Sequence, residues 1–170
     1  LADVVTGLQA QTRVRPRLTA RILVAWGASF FALGISIYLT IAHYSSAVSL
    51  VCPLGGGVIN CTKVTTSPES IIFGVPVAVL GLAYYLFMVV LLSPWAWWST
   101  NRYVAPLRVG ATVISLGLIA YLIYAELYVI HAICLWCSTV HVLTLIIFIC
   151  VVTGWDEAIA PRLDAEGDDS

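Results

Sequence analysis

The chain has 170 residues, 61% of them apolar and only 10% charged, with a net charge of −1 and a mean hydropathy of +0.98. Soluble globular domains are about half apolar and a quarter charged, so this composition excludes that class and points to a membrane protein. Arg13, Arg15, Arg17 and Arg21 precede the first apolar run and six acids from Asp156 to Asp169 follow the last; these ends, 1–20 and 155–170, read as solvated tails, with no sign of nucleic-acid binding.

From Ile22 to Ala42 runs a charge-free stretch of 21 residues, longer than the apolar core of a signal peptide and without a small-residue cleavage site behind it. It predicts a first transmembrane helix over about 22–43. A second run, about 72–92, also has the length to span, and Ser93-Pro94 ends it ahead of Trp95, Trp97 and Trp98, which fit an interfacial aromatic belt. From Val109 to Trp155 the only formal charge is Glu126. Those 47 residues are twice a membrane width, so they predict two helices, about 106–129 and 133–153, joined by a tight turn around Ile130 to Ala132 and stopped by Gly154.

The predicted fold class is an all-α membrane protein, an antiparallel four-transmembrane-helix bundle over 21–154, because hydrocarbon offers unpaired backbone groups no partner. Gly27 and Gly34, Gly74 and Gly81, and Gly110 and Gly117 fall seven apart. Each pair shares a helix face, which marks either close helix approach or simply the glycine content usual in membrane helices. Lysine and arginine counts orient the bundle. Arg13 to Arg21 precede the first span, Arg102 and Arg108 flank the second connection, the first connection holds only Lys63 and the third none. The positive-inside rule then puts both termini in the cytoplasm and the first and third connections outside.

The outer connection from Tyr44 to Ile71 is long for so small a bundle and is the natural place for function. Its Cys52 and Cys61 form a C-x8-C pair around Gly55-Gly56-Gly57, a glycine hinge that would let one cysteine swing relative to the other. Ser67-Pro68-Glu69-Ser70 then has the form of a helix start, with Ser67 as N-cap. The third connection leads into Cys134-Leu135-Trp136-Cys137, a C-x-x-C pair whose thiols share one helix face. All four cysteines fall on the outer, disulfide-permissive side.

Inert disulfides, a zinc site or a redox relay are the three readings of such a set. A C-x8-C spacing is wider than zinc sites use, so no metal is expected. A disulfide across one helical turn stabilises little and suits exchange, and the free N–H groups at a helix start lower the pKa of a nearby thiol, Cys134 above all. His131, three residues earlier, is either an interfacial side chain or a proton relay. Cys150, about 20 Å along the helix from Cys137, is a packing cysteine. Electrons leaving a dithiol at bilayer depth point to a lipid-soluble quinone, menaquinone or ubiquinone, as acceptor. The rival reading is a non-catalytic membrane scaffold or small transporter with structural disulfides.

Taken in order, Cys52 and Cys61, Thr65-Thr66-Ser67, Phe73-Gly74 and Cys134-Leu135-Trp136-Cys137 on four spans resemble the bacterial branch of the vitamin K epoxide reductase family, over about Ile22 to Thr153. The resemblance implies a quinone-dependent thiol oxidoreductase of the bacterial inner membrane. It assigns Cys52 to taking electrons from a separate thioredoxin-like, DsbA-like extracytoplasmic protein, Cys61 to attacking Cys134, and Cys137 to reducing the quinone. It also implies that Ser67, Phe73, Trp136 and His141 surround the quinone, with Ser67 by a carbonyl. Animal members resemble this chain less at two points, with an Asn at the position of Ser70 and a Tyr at that of His141, so the resemblance does not extend to epoxide reduction. The chain ends at Ser170 without the fused thioredoxin-like domain of some bacterial members, hence the expectation of a separate partner.

Overall fold

The computed structural model describes residues 20–45, 50–52, 55–97, 99, 101 and 103–154. Both predicted tails apart from Ala20, together with Pro53, Leu54, Trp98 and Arg102, lie outside the described residues. The fold is mostly helical. In chain order come α1 (Ala20–Tyr44), α2 (Cys61–Thr65), a 3-10 turn (Pro68–Ser70), a hairpin of β1 (Ile71–Ile72) and β2 (Val75–Pro76), α3 (Val77–Leu91) and α4 (Pro94–Trp97). They are followed by α5 (Val104–Tyr124), which continues as a π-helical turn (Ala125–Ile130), and by α6 (Leu135–Thr153). Among the described residues three helical segments, α1, Val104–Ile130 and α6, are long and apolar enough to cross a membrane. The apolar helix α3 has 15 residues, which at 1.5 Å each is roughly 22 Å.

Heptad seams hold these helices together. In α1 the buried positions include Ile22, Ser29 and Ser36, and Ala25, Ala32 and Leu39, two rows of spacing seven. In α5 the buried residues Ala105, Arg108, Thr112, Ser115 and Ile119 alternate in steps of three and four. Outside the seams stand Leu23, Phe30, Phe31, Ile37, Val113 and Ile114, all exposed. Amphipathicity is therefore inverted: small and polar side chains face inward, large apolar ones outward, as a lipid solvent requires. Helix α1 packs against α3 and α6, and α5 packs against α6. Ile22, Ala25 and Ala32 meet Tyr85, Met88 and Leu91 of α3 and Ile147 and Val151 of α6 in one core.

Close approach is carried by this Ala/Ser seam more than by the glycine pairs. Of these six glycines, Gly81 alone meets a neighbouring helix, with Ser36 Oγ 3.4 Å from where a Cβ would stand; Gly27, Gly34, Gly74, Gly110 and Gly117 face open space. The second apolar run also differs from the predicted helix over 72–92. Residues 71–76 form the hairpin, with Ile71 opposite Pro76 and Ile72 opposite Val75, and the helix starts at Val77. Positive φ at Phe73 (51°) and Gly74 (79°) makes the turn, a conformation no helix continues through. The third connection turns at His131, whose φ of 52° is left-handed, within the predicted 130–132.

One buried cation ties the end of α3 to α5. Arg108 is 2% exposed, donates from Nε and a terminal nitrogen to the Leu91 carbonyl, and lies 3.8 Å over the Trp97 ring. It satisfies an orphan carbonyl at the helix end and gains a cation–π contact. Arg108→Ala should lower stability in detergent by about 2–4 kcal/mol, and Arg108→Lys should restore only part of it because an ammonium lacks the planar fork. Chemical or thermal unfolding of the purified variants measures both.

Candidate active site

Two backbone hydrogen bonds bring the cysteine pairs together. Ile133 N–H donates to the Val58 carbonyl (2.9 Å) and Asn60 N–H to the Ile133 carbonyl (3.1 Å), so the loop lies beside Ile133 like a parallel strand. Cys61 and Cys134 each follow directly on this bridge. Before it the glycines form a tight turn, with Gly56 and Ile59 exchanging both of their backbone bonds at 3.2 Å and Gly57 at φ 61°, so the segment is tied at both ends and is not a free hinge. Trp136 Nε1 donates to the Val51 carbonyl (2.8 Å), and its ring packs edge-on against Tyr38. Lys63 Nζ donates to the Ile130 carbonyl (2.7 Å), where the π turn leaves an orphan acceptor.

Cys52 and Cys61 are joined in a disulfide, with Cα atoms 5.6 Å apart. Cys134 and Cys137 are free thiols. Cys61 and Cys134 are wholly buried in one apolar cluster with Val64, Ala125, Ile130 and Ala132, and Cys52, Trp136 and Cys137 pack against it. Cys134 is the N-cap of α6, and its sulfur faces the Cys137 backbone N–H at 3.4 Å. The hydrogen bond it receives from the Cys137 thiol holds Cys134 below the ordinary thiol range, outweighing the opposing effect of burial. That arrangement, at the positive end of a helix, makes the Cys134 proton easier to lose than that of an ordinary thiol.

Behind the cluster lies a cavity of about 200 Å³ between α1, α3, α5 and α6, closed on the loop side by Val64, Ser67 and Ser70. Its wall is chiefly apolar, including Leu39, Leu80, Leu118, Ile119 and Val140. Cys137, Ser67 and His141 all line it. Ser67 takes the N-cap position of the 3-10 turn, but its hydroxyl donates back to the Val64 carbonyl (2.9 Å) instead of capping. Its oxygen is left to accept, and it must rotate to donate into the cavity. Trp136 and Phe73, the other two expected around a quinone, are not part of the lining. Trp136 braces the loop, and Phe73 is fully exposed at the hairpin tip.

Three lining residues were not singled out from sequence. Tyr84 donates to Ser115 Oγ (3.1 Å) and Tyr85 pairs with Thr144 Oγ1, so each hydroxyl crosses to another helix. Glu126, buried on the π turn, was the lone charge between Val109 and Trp155, and an acid at bilayer depth is itself a signal of function. Among the described residues no group of three or more metal-ligating side chains occurs.

A sequence model of the vitamin K epoxide reductase family matches residues 23–152, which takes in both cysteine pairs and every helix described except the short ends. The chain belongs to the vitamin K epoxide reductase family. Comparison with individually characterised proteins gives no match. Membership makes the chain a membrane protein of a family of thiol–disulfide oxidoreductases, in keeping with the disulfide and the free C-x-x-C that the fold sets side by side.

The thiol hydrogen bond carries a test. In reduced wild-type protein Cys134 should be alkylated by a small haloacetamide with a midpoint below that of an ordinary thiol. Cys137→Ala removes the thiol donor and leaves burial opposed only by backbone N–H groups, so the midpoint should rise and the rate at neutral pH fall roughly tenfold for each unit of rise. Peptide mass spectrometry across a pH series reads it directly.

Proposed function

We propose that the chain is a membrane thiol:quinone oxidoreductase that reoxidises a separate extracytoplasmic thioredoxin-like, DsbA-like protein and so sustains disulfide formation. The observation that carries this reading is the shared site. A loop disulfide and a free dithiol lie in one apolar cluster, and one thiol of that dithiol opens onto an apolar cavity.

The electrons enter at Cys52. Its sulfur takes the partner's, and the partner's second thiol resolves the mixed disulfide, leaving Cys52 and Cys61 as thiols. With the helix pair oxidised, the Cys61 thiolate attacks Cys134, forming a Cys61–Cys134 bond and releasing Cys137 as a thiolate. Cys52 then attacks Cys61, which re-forms the loop disulfide and leaves the helix pair reduced, the arrangement of thiols seen here. Ser67, His141 and the apolar wall would hold a quinone, menaquinone or ubiquinone, which supplies a sink for two electrons and two protons. Cys137, on the cavity wall, is the thiol placed to reduce it, while Cys134 stays beneath the loop.

Four spans in an antiparallel bundle, with α3 as the short one, complete the reading. Arg21 donates to the Thr153 carbonyl (2.6 Å), which joins the start of α1 to the end of α6, away from the cysteines. Together with the arginine-rich sequence before α1, this supports both termini in the cytoplasm and the redox site on the outer face of a bacterial inner membrane.

Cys134→Ala and Cys137→Ala should each abolish quinone reduction by the reduced partner. Cys52→Ala and Cys61→Ala should lose turnover with the protein partner yet keep it with dithiothreitol, and Cys61→Ala should trap the partner on Cys52 as a mixed disulfide. Quinone absorbance and non-reducing gels report these outcomes; full activity in Cys137→Ala would overturn the scheme.

A further inference from the structure

Glu126 has no task in the electron path just described. It is 6% exposed, sits on the π turn and lines the same cavity as Cys137. The wider π turn explains its direction. Ala125, Glu126 and Ile130 face inward, while Leu127, Tyr128 and Val129 between them stay exposed. Such π turns inside α-helices recur at functional sites. The Glu126 carboxyl lies near enough to the Cys134 backbone and to both thiols to interact with them electrostatically.

No cation among the described residues offsets this acid. Lys63, on the loop side, gives its ammonium to the Ile130 carbonyl. The cavity's other titratable side chains besides Cys137 are His43, Glu69, Tyr84, Tyr85 and His141. A carboxylic acid enclosed without a cation holds its proton unless a neighbour replaces the one it gives away. Here the neighbours are two thiols that must both lose protons whenever they become a disulfide.

We propose that Glu126 is the proton relay of the Cys134–Cys137 dithiol, donating its proton into the cavity and recovering one from the Cys134 thiol as that sulfur closes onto Cys137. The inference rests on the reading above, that the helix pair discharges to an acceptor of the quinone class in this cavity. Closure breaks two S–H bonds and forms one S–S bond. Two electrons and two protons leave the pair, one proton by way of Glu126 and one from Cys137, and the acceptor ends as the quinol. Glu126 finishes protonated, as it started, so no net charge is left in the apolar site at either end of the step. Without a relay, the proton of Cys134 could reach the cavity only through the Cys137 thiol, since the Cys134 sulfur is buried and absent from the cavity wall.

Glu126→Gln keeps the shape and an acceptor for the Cys134 N–H but carries no exchangeable acid. It should slow discharge of the reduced helix pair to a short-chain quinone by about 10²-fold or more, the usual worth of a placed proton-transfer group. Thiol exchange between loop and helix pairs, followed with dithiothreitol and no quinone, should keep its wild-type rate, and Glu126→Asp should recover part of the loss. Infrared spectra of the quinone-free full chain supply an independent readout: a protonated-carboxyl C=O band at neutral pH, absent in Glu126→Gln and displaced in Glu126→Asp. Wild-type discharge rates in Glu126→Gln, or no such band in the wild type, would overturn the relay. A wild-type protein that shows the band yet reduces no quinone would instead overturn the functional reading on which the relay rests.

Discussion

The pairing of Val58 and Asn60 with Ile133 is the contact on which the rest of the site depends. It is a fragment of sheet in a helical protein, and its value is positional. Because Cys61 and Cys134 are the next residues after the paired ones, register between the two strands is also register between the two sulfurs. A loop of this length would otherwise have to search for its partner against its own entropy. Further bonds hold the same region together, Trp136 donating to the Val51 carbonyl and Lys63 to the Ile130 carbonyl.

Inverted helices give this arrangement a rigid base. With apolar surface on the outside, nothing drives the helices together except close packing and hydrogen bonds across seams. Ser29, Ser36, Thr112, Ser115 and Thr144 are all buried, and several return their hydroxyl protons to the carbonyl one turn back, as Ser29 does to Trp26 and Thr144 to Val140. Those short side chains permit tight contact near α1 and leave a gap where α3 and α5 diverge. The gap is the cavity, and the tyrosines of α3 bridge it with hydroxyls that reach Ser115 and Thr144. One cause, small polar seams, thus yields both the packed core and the apolar chamber beside Cys137.

The sequence announced what is local or strongly periodic. Long charge-free runs revealed the membrane-crossing helices, and two cysteine pairs in a fixed order on those runs carried the family. What stayed hidden depends on tertiary neighbours. Ile71-Ile72-Phe73 is as apolar as the helix that follows, and only the left-handed backbone at Phe73 and Gly74 turns it into a hairpin. The π turn leaves no mark in composition, so Glu126 was legible as a lone charge but not as an inward-facing one. Trp136, adjacent to Cys137 in sequence, points to the loop and not the chamber, because neighbouring positions on a helix are about 100° apart. Ser67 shows both sides: its helix-start position was readable, whereas its place on the cavity wall follows from the fold alone.

That same helical geometry accounts for the unequal thiols. Cys134 precedes the first turn of α6 in an extended conformation, buried against the loop, while Cys137 already lies on the helix and on the chamber wall. The pair therefore stands in the partition between the loop and a chiefly apolar chamber. In the proposed path the electrons cross that partition by thiol–disulfide exchange, and neither a hydrophilic protein nor a lipid-soluble acceptor has to enter the other's compartment. Separation also protects the chemistry, because a thiolate exposed at Cys137 to any passing disulfide would lose its electrons before reaching an acceptor. A C-x-x-C at a helix start is the shortest motif that meets both demands. At a closer spacing the two side chains would point away from each other around the helix, and the sulfurs could not meet.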